Sequence, residues 1–450
     1  MTLPPSLRDH DICIVGLGYV GLTLAVAMAD AGFRVHGAEV REDVLQRLHQ
    51  GEAHFFEPRL NEKLRRVVAA GRFAFSNGLA GDYSPTVYIV TVGTPLDADG
   101  GVSLGSVSNA ARQVAAQLRD GDLVILRSTV KLGTARNVVG PILDAAGKSY
   151  MLAVCPERTL EGRALLEIRE LPQIIGADDP EIRLRCQALF SILTHTTIAL
   201  SSLEAAEMCK LVDNTYRDVM FGFANEVAAV CSGAGLSAVE IIRAGRLGYP
   251  RTNVALPGPV GGPCLEKDPH ILAESALSFG VELKITTAAR AVNEGQPAAT
   301  VALLRQACDN TPDFPSSPVI VVAGLAFKGL PPTDDLRGSM AFPIVGALRS
   351  AFPGATLRGY DALVSAQAQR HEMGLVPASS LADAFEGANV VVFANNHPEF
   401  QRSDLGALAA KMARPGIVYD YWNMHDDVDA SMPVGVRYVA LGSERIGMPG

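Results

Sequence analysis

Apolar residues in the first 200 positions gather in short blocks. Asp11-Ile12-Cys13-Ile14-Val15 is one, Arg34 to Val40 is the second, and Val87 to Val92, Leu123 to Arg127, Tyr150 to Cys155 and Gln173 to Gly176 repeat the form. Blocks of this length read as buried strands. Helical stretches lie between most of them, among them Val20 to Ala31 and Asp43 to Gln50. Strands alternating with helices predict a parallel sheet covered by helices on both faces.

The pattern changes near residue 202. Leu203 to Gly233 holds no proline, and its only glycines are Gly222 and Gly233. Met208, Leu211, Val212, Tyr216 and Val219 recur at helical spacing, which predicts one helix of about 30 residues and about 45 Å. A second helix is expected over Ala238 to Ala244, then a Gly/Pro-rich loop from Gly245 to Pro269. Another helical stretch is expected from His270 to Glu294, broken around Gly280. The run Thr311-Pro312-Asp313-Phe314-Pro315-Ser316-Ser317-Pro318 reads as a linker. Beyond it, Val319 to Gly324 opens a second strand-turn-helix pattern, with later strands over Thr356 to Tyr360, Val390 to Ala394 and Ile417 to Asp420.

Composition narrows the function classes. A chain of 450 residues fits about three domains. With 48% hydrophobic and 19% charged residues it is an ordered globular protein. A net charge of −9 supplies no basic footprint for a nucleic acid, so none is expected as partner. The 7 cysteines form no CxxC pair, which points to reduced thiols in the cytoplasm. The 9 histidines form no HExxH or other ligand cluster, so no metal is expected. Ile12 to Ala29 carries no charge and is long enough to resemble a membrane span. Its glycines Gly16, Gly18 and Gly21 and the absence of a basic leader favour a buried strand, a turn and a buried helix instead.

Those glycines belong to Gly16-Leu17-Gly18-Tyr19-Val20-Gly21, a GxGxxG run between a predicted strand and a predicted helix. Glu39 ends the next strand. In that context the glycines allow a tight turn and close approach of a pyrophosphate, whose charge the helix N-terminus stabilises. Glu39 would accept hydrogen bonds from a ribose 2′-hydroxyl and disfavour a 2′-phosphate, so NAD is the expected cofactor; Arg34 and Arg41 leave a small opening for NADP. The competing reading is packing glycines and a surface glutamate. The fold expected is α/β, with two Rossmann-like parallel-sheet domains at 1–201 and 311–450 joined by a helical region at 202–310.

A second motif lies far downstream, Gly261-Gly262-Pro263-Cys264-Leu265-Glu266-Lys267-Asp268. Glycines bring the backbone close to a ligand, and a nearby cation such as Lys267 favours a thiolate. A dehydrogenase with a nucleophilic cysteine can trap an aldehyde, oxidise the adduct and hydrolyse the thioester. The rival reading is a buried structural thiol, the role of most cysteines. Five of the other six sit in apolar strand or helix contexts, and Cys308 borders the polar linker without comparable neighbours. Lys210 and Asn214, four apart on the long helix, share a face that Asp218 extends. That face is either solvated or, beside Cys264, an oxyanion site. Glu157, in Cys155-Pro156-Glu157-Arg158-Thr159-Leu160-Glu161-Gly162, follows a strand where α/β sheets place functional loops; alternatively it is a surface carboxylate.

These motifs in this order resemble the UDP-sugar 6-dehydrogenase family, the nucleotide-sugar dehydrogenases. The resemblance covers most of the chain. It is carried by the fingerprint, Val92-Gly93-Thr94-Pro95, Ser128-Thr129-Val130, Pro156-Glu157-Arg158, Lys210 to Asp218, Gly261 to Cys264, and Gly324-Leu325-Ala326-Phe327-Lys328 followed by Asp334-Asp335-Leu336-Arg337. It implies two successive NAD-dependent oxidations at the sugar C6 carbon, giving a uronic acid. Cys264 would form the thiohemiacetal and thioester, Lys210 and Asn214 would stabilise the oxyanion, and Asp268 and Glu157, assisted by Thr129, would position or activate water. Cofactor contacts would come from Gly16, Gly18, Tyr19, Val20, Gly21, Glu39 and Arg41, then from Thr94, Pro95, Ser128, Thr129, Glu161, Lys267 and Arg337. Substrate contacts would come from Glu157, Arg158, Thr159, Leu160, Lys210, Asn214, Gly261, Phe327 and Lys328. Arg251 resembles an arginine that reaches the substrate across a homodimer interface, with the long helix as dimer core.

Two departures stand out. Gly329-Leu330-Pro331-Pro332 lengthens the loop before the acidic pair, which changes the expected seat of Arg337. Asp420-Tyr421-Trp422-Asn423 replaces a basic residue that relatives carry after a late strand. Pro156-Glu157-Arg158-Thr159 and Tyr249-Pro250-Arg251-Thr252-Asn253 look like enzymes for UDP-N-acetylhexosamines such as ManNAc or GlcNAc, whereas Cys264 to Asp268 looks like the UDP-glucose group. The expected substrate is the N-acetylated sugar, with UDP-glucose as the alternative. A single-step alcohol or hydroxyacid dehydrogenase needs only the fingerprint and a base. A non-catalytic nucleotide-sugar-binding protein would not need the set Glu157, Lys210, Cys264 and Asp268.

Overall fold

In the computed structural model, residues 3–79, 83–97, 101–425 and 431–443 are described. The chain divides into two compact units, one of residues 1–214 and 270–282, the other of 215–269 and 283–450.

The first unit is built on eight strands: β1 (Asp11–Val15), β2 (Arg34–Glu39), β3 (Phe73–Asn77), β4 (Val87–Val90), β5 (Asp122–Leu126), β6 (Tyr150–Val154), β7 (Gln173–Gly176) and β8 (Thr197–Leu200). They lie in the order β3-β2-β1-β4-β5-β6-β7-β8. Strands β4, β5 and β7 are buried at every position, because helices cover both faces. The expectation of a parallel sheet holds through β6. There β7 pairs antiparallel to β6, Val154 opposite Gly176, and β8 pairs parallel to β7. The reversal puts the carboxyl ends of β7 and β8 at the opposite end of the sheet from those of β1, β4 and β5. Helix α1 (Tyr19–Ala31) follows β1 directly, so the uncharged stretch from Ile12 is a strand, a turn and a helix, all packed in one core. Among the described residues no helix is long and apolar enough to cross a membrane.

The second unit carries six parallel strands: β9 (Val319–Ala323), β10 (Thr356–Tyr360), β11 (Val376–Pro377), β12 (Val390–Phe393), β13 (Gly416–Asp420) and β14 (Val436–Ala440), in the order β11-β10-β9-β12-β13-β14. The long helix α2 (Leu203–Ala234) begins in the first unit and ends in the second. The stretch expected from His270 to Glu294 is two helices, α3 (Asp268–Leu277) and α4 (Lys284–Asp309), with the break at Gly280 where φ is 73°. Helix α4 continues through Pro297 to Asp309. In the second unit α2 and α4 approach closely, since a Cβ on Gly222 would lie 2.8 Å from that of Ala289.

Candidate active site

In the first unit the fingerprint adopts the conformation its glycines were expected to serve. Gly16 has φ 92°, and its N–H donates to the Ala38 carbonyl at 2.8 Å, turning the chain off β1. A Cβ on Gly21 would sit 1.9 Å from the Gly16 carbonyl oxygen, so only glycine lets α1 start there. A Cβ on Gly18 would meet nothing within 4 Å, so its lack of a side chain serves approach from outside rather than packing. Glu39 Oε2 accepts from the Leu17 N–H at 2.8 Å, and Oε1 accepts from Val40 and Arg41 N–H at 2.8 and 3.0 Å. The carboxylate is thereby locked at the end of β2, on a cleft of about 380 Å³ that the fingerprint, Arg41, Gly93 and Gln113 also line. Arg41 pairs with Asp43 at 2.5 Å. Arg34 pairs with Asp11 at the opposite end of β2, about 17 Å of strand away from Glu39, so the opening for NADP that Arg34 left is closed. His54 also lines the cleft; burial, then the Arg41 charge, lowers its pKa to about 4, leaving a neutral imidazole near pH 7.

The loops after β4 and β5 are tied together. Thr94 Oγ1 donates to the Thr129 carbonyl at 2.6 Å and Ser128 Oγ to the Val92 carbonyl at 2.6 Å. Tyr19 hydrogen-bonds Glu57, and the Gly162 N–H donates to Glu57 Oε2 at 2.8 Å and to the Tyr19 hydroxyl at 3.0 Å. Burial, then Glu57, raises the pKa of Tyr19 far above its ordinary value. Tyr19 thus joins the fingerprint to the segment holding Glu161.

Glu157 is held on all sides. Arg127 Nη2 donates to Oε2 at 2.5 Å, and Arg158 and Thr159 N–H donate to Oε1 at 2.7 and 2.8 Å. Burial pushes its pKa up, but the Arg127 charge and those N–H groups outweigh burial and hold it below the ordinary carboxylate value. A carboxylate stabilised in this way is a weak base, and its geometry suits positioning. Arg158 reaches Asp213 on α2 at 3.3 Å and the Pro172 carbonyl at 2.6 Å, while the Leu160 N–H donates to Glu167 at 2.7 Å. Lys210 and Asn214 lie one turn apart on the part of α2 that belongs to this unit, both buried. The Lys210–Asn214 face is therefore not a solvated one.

The second unit holds the cysteine motif. Gly262 has φ 92°, and its N–H donates to the Gly338 carbonyl at 2.7 Å. A Cβ there would lie 2.4 Å from the Phe327 ring, and one on Gly261 would lie 2.2 Å from the Gly338 oxygen. Of the 7 cysteines only Cys264 is exposed. Burial raises the pKa of Cys13 and Cys308 to about 12, which leaves those thiols unreactive. Lys267 Nζ pairs with the fully buried Asp268 at 2.9 Å, so the expected thiolate-favouring cation is largely neutralised by its own neighbour.

The turn after β9 repeats the first unit's geometry. Gly324 has φ 89°, its N–H donates to the Tyr360 carbonyl at 2.8 Å, and Asp361 Oδ2 accepts from Leu325 N–H at 2.6 Å, as Glu39 does from Leu17. Lys328 lies over the Phe327 ring at 5.1 Å. Arg337 is clasped by Asp335 at 2.5 Å on the lengthened loop. Arg251 is exposed and stacks 4.5 Å over the Tyr249 ring. Trp422 packs at Gly258, and its indole donates to the Ala394 carbonyl at 3.0 Å. Asp420 is fully buried; burial raises its pKa although Met424 and Trp422 N–H and the Tyr438 hydroxyl donate to it.

Sequence reasoning missed Arg127, Glu57, Arg290 and Asn293. Arg127 had a signal, a charge closing an otherwise apolar strand just before Ser128. Glu57 and the residues of α4 had none, because their partners lie far away in sequence. Among the described residues no group of three or more His, Cys, Asp or Glu could hold a metal.

Comparison with known proteins agrees with this geometry. The UDP-N-acetyl-D-mannosamine dehydrogenase of Pyrococcus horikoshii is 32% identical over 96% of this chain and 99% of its own. A solved structure of a UDP-D-ManNAc dehydrogenase from the same organism superposes with a TM-score of 0.87 at 31% identity, covering 96% and 99% of the two chains. That of a UDP-glucose dehydrogenase from Pyrobaculum islandicum gives 0.85 at 26% identity, covering 98% and 100%. Residues 10–194, 204–295 and 321–427 match in turn the NAD binding, central and UDP binding domains of the UDP-glucose/GDP-mannose dehydrogenase family. With all three domains present in order on one chain, the protein belongs to that family of NAD-dependent UDP-sugar dehydrogenases.

Proposed function

We propose that the protein oxidises the C6 hydroxyl of a UDP-N-acetylhexosamine, UDP-N-acetylmannosamine first among them, to the carboxylate. The sugar follows from the relatives' substrates; the observation that carries the four-electron course is Cys264, alone exposed among 7 cysteines, in the one-turn helix Gly262–Leu265 whose glycine start packs against Phe327 and Gly338. NAD+, held by the fingerprint and Glu39, would supply the hydride acceptor for each of two rounds. Between them the Cys264 sulfur adds to the C6 aldehyde, and the second hydride leaves a thioester that water cleaves to carboxylate and free thiol. Lys210 and Asn214 hold the oxygen that becomes negative in each covalent step. Asp268, buried and paired with Lys267, activates the water; Glu157 and Thr129 position it, and Glu157 holds the Arg158–Leu160 backbone against the substrate. Phe327 and Lys328 hold the nucleotide sugar, and Glu39 selects NAD+.

The working form is a homodimer in the cytoplasm. Met208, Val212, Tyr216, Phe223 and Val230 are exposed apolar residues, and with the half-buried Val219 and Val227 they form one stripe along α2. Successive members are three or four residues apart, the spacing of a helix seam. A partner helix would cover it and bring Arg251 to the neighbouring site. Sedimentation of Phe223→Glu, expected to shift the protein toward monomer, tests this; an unchanged dimer would exclude the stripe.

The decisive assay incubates the protein and NAD+ with a panel of UDP-sugars, weighs the products and counts NADH. Two NADH per UDP-N-acetylhexosamine and a uronate product are expected. Cys264→Ser abolishes uronate formation while NAD+ binding persists. One NADH per sugar, with an aldehyde trapped by hydroxylamine as final product, would replace this reading with the single-step one. UDP-glucose as the preferred sugar would retain the chemistry and change the substrate.

A further inference from the structure

A buried polar network in the second unit touches the cysteine loop at three points. The Gly222–Ala289 contact lets α2 and α4 approach closely enough for Asp218 and Asn225 on one helix to meet Arg290 and Asn293 on the other. All four are at most 5% exposed. Arg290 Nη1 donates to Asp218 Oδ1 at 2.6 Å and to the Leu265 carbonyl at 2.9 Å, and Nη2 donates to the Val260 carbonyl at 3.3 Å. Asn293 Nδ2 donates to Asp218 Oδ1 at 2.9 Å and to its carbonyl at 3.0 Å. Asn225 Nδ2 donates to Asn293 Oδ1 at 3.0 Å and to the Gly258 carbonyl at 3.1 Å, and its Oδ1 accepts from the Gly258 N–H at 3.0 Å. These bonds fix the orientation of both amides, since each amide oxygen accepts and each amide nitrogen donates.

We propose that Arg290, oriented by Asp218 and Asn293, is a positioning residue for the Cys264 nucleophile. The inference rests on the reading of Cys264 as nucleophile. One guanidinium grips the carbonyls at both ends of Val260–Leu265, and Cys264 lies inside that span. The span needs external support, because Gly261 and Gly262 have no side chains to pack and Gly262 sits at φ 92°. A planar fork reaches Asp218 Oδ1 and two diverging carbonyls together, which a lysine ammonium on a single stem does not reproduce. Asn225 fixes the loop one step earlier, at Gly258, through both backbone polar groups. If the grip is lost, the first oxidation proceeds but the thiol is misplaced for the aldehyde, which then escapes before capture.

The test uses the full-length protein with NAD+ and UDP-N-acetylmannosamine. It compares Arg290→Lys, Asn225→Ser and Cys264→Ser with wild type for thermal melting, kcat, both KM values, NADH per sugar and hydroxylamine-trapped aldehyde. Arg290→Lys is expected to lower kcat by about 10- to 100-fold with each KM within about twofold, since small misplacements cost that much. NADH per sugar falls below two, and trapped aldehyde accounts for the shortfall. Asn225→Ser, which keeps the Arg290–Asp218 pair, moves the same readouts in the same direction by less. Unchanged kcat and stoichiometry in a folded Arg290→Lys would overturn the proposal. So would a slower enzyme that still releases two NADH per sugar, the mark of a merely structural network. If Arg290→Lys does not fold, the stoichiometry of Asn225→Ser decides by the same criteria. Full uronate production by Cys264→Ser would instead remove the nucleophile reading itself, whatever the Arg290 variants do.

Discussion

Replacing Arg127 with methionine isolates the charge that keeps Glu157 ionised. The guanidinium is 3% exposed and the Glu157 side chain 11%, so water screens the pair little. The substitution removes the ion pair and also the bonds to the Cys155 carbonyl and to Gln173, both 2.9 Å. Breaking a buried ion pair from one side costs about 3–5 kcal/mol. The two further bonds add about 1 kcal/mol each. A loss of about 5–7 kcal/mol is comparable with the whole stability of a typical domain, about 5–15 kcal/mol. The sign with pH follows from the same cluster. In the wild type the Glu157 pKa is lowered, so its contribution is present above the unfolded-state value and is lost as pH falls through the folded one. Without Arg127, burial dominates and the pKa rises. The folded variant then binds more protons than the unfolded chain, and its stability falls as pH rises. Urea unfolding of wild type and Arg127→Met at about pH 5 and about pH 8 should show the larger deficit at the higher pH. Adding Glu157→Gln should recover about half of it, since the orphaned charge is gone. A deficit under about 1 kcal/mol, or one independent of pH, would refute the argument.

Three further outcomes are expected. Glu39→Ala narrows the preference for NAD+ over NADP+ by about tenfold, near 1.4 kcal/mol, in steady-state kinetics, and equal efficiency of the wild type with both cofactors would remove the assignment. Arg34→Ala leaves that preference unchanged, because Arg34 pairs with Asp11 at the far end of β2; a shifted ratio would contradict the strand geometry. Gly262→Ala costs about 1–3 kcal/mol in thermal or urea unfolding and lowers turnover, since a side chain at φ 92° is strained and its Cβ would lie 2.4 Å from the Phe327 ring; unaltered stability would contradict it.

Local patterns in the chain determined ten of the fourteen strands of the described residues and the turns after β1 and β9, while β3, β8, β11 and β14 were not legible. An apolar block covered on both faces and a glycine forced to positive φ are short-range facts, visible in Ile12 to Val15 and at Gly16. Cys264 was legible as a candidate for the same reason, since its glycines, proline and charges stand beside it in sequence. Domain matches and relatives bear out the family that these motifs resemble. The reversal of β7 was not legible, because a short apolar strand reads the same in either direction and only the path of its connection decides. The helical stretch expected to stop at Glu294 runs on to Asp309, with Pro297 inside the packed helix. Tertiary structure alone decided which charges face which. Lys267 stands near Cys264 in sequence, yet its ammonium goes to Asp268. Glu157 looks free in sequence, yet a strand-end arginine 30 residues away holds it. Arg290 belongs to an unremarkable helical stretch until folding sets it against the carbonyls of Val260 and Leu265. Hydrogen bonds and ion pairs depend on distances of a few ångströms between residues tens of positions apart, and only the packing of helices and sheets sets those distances.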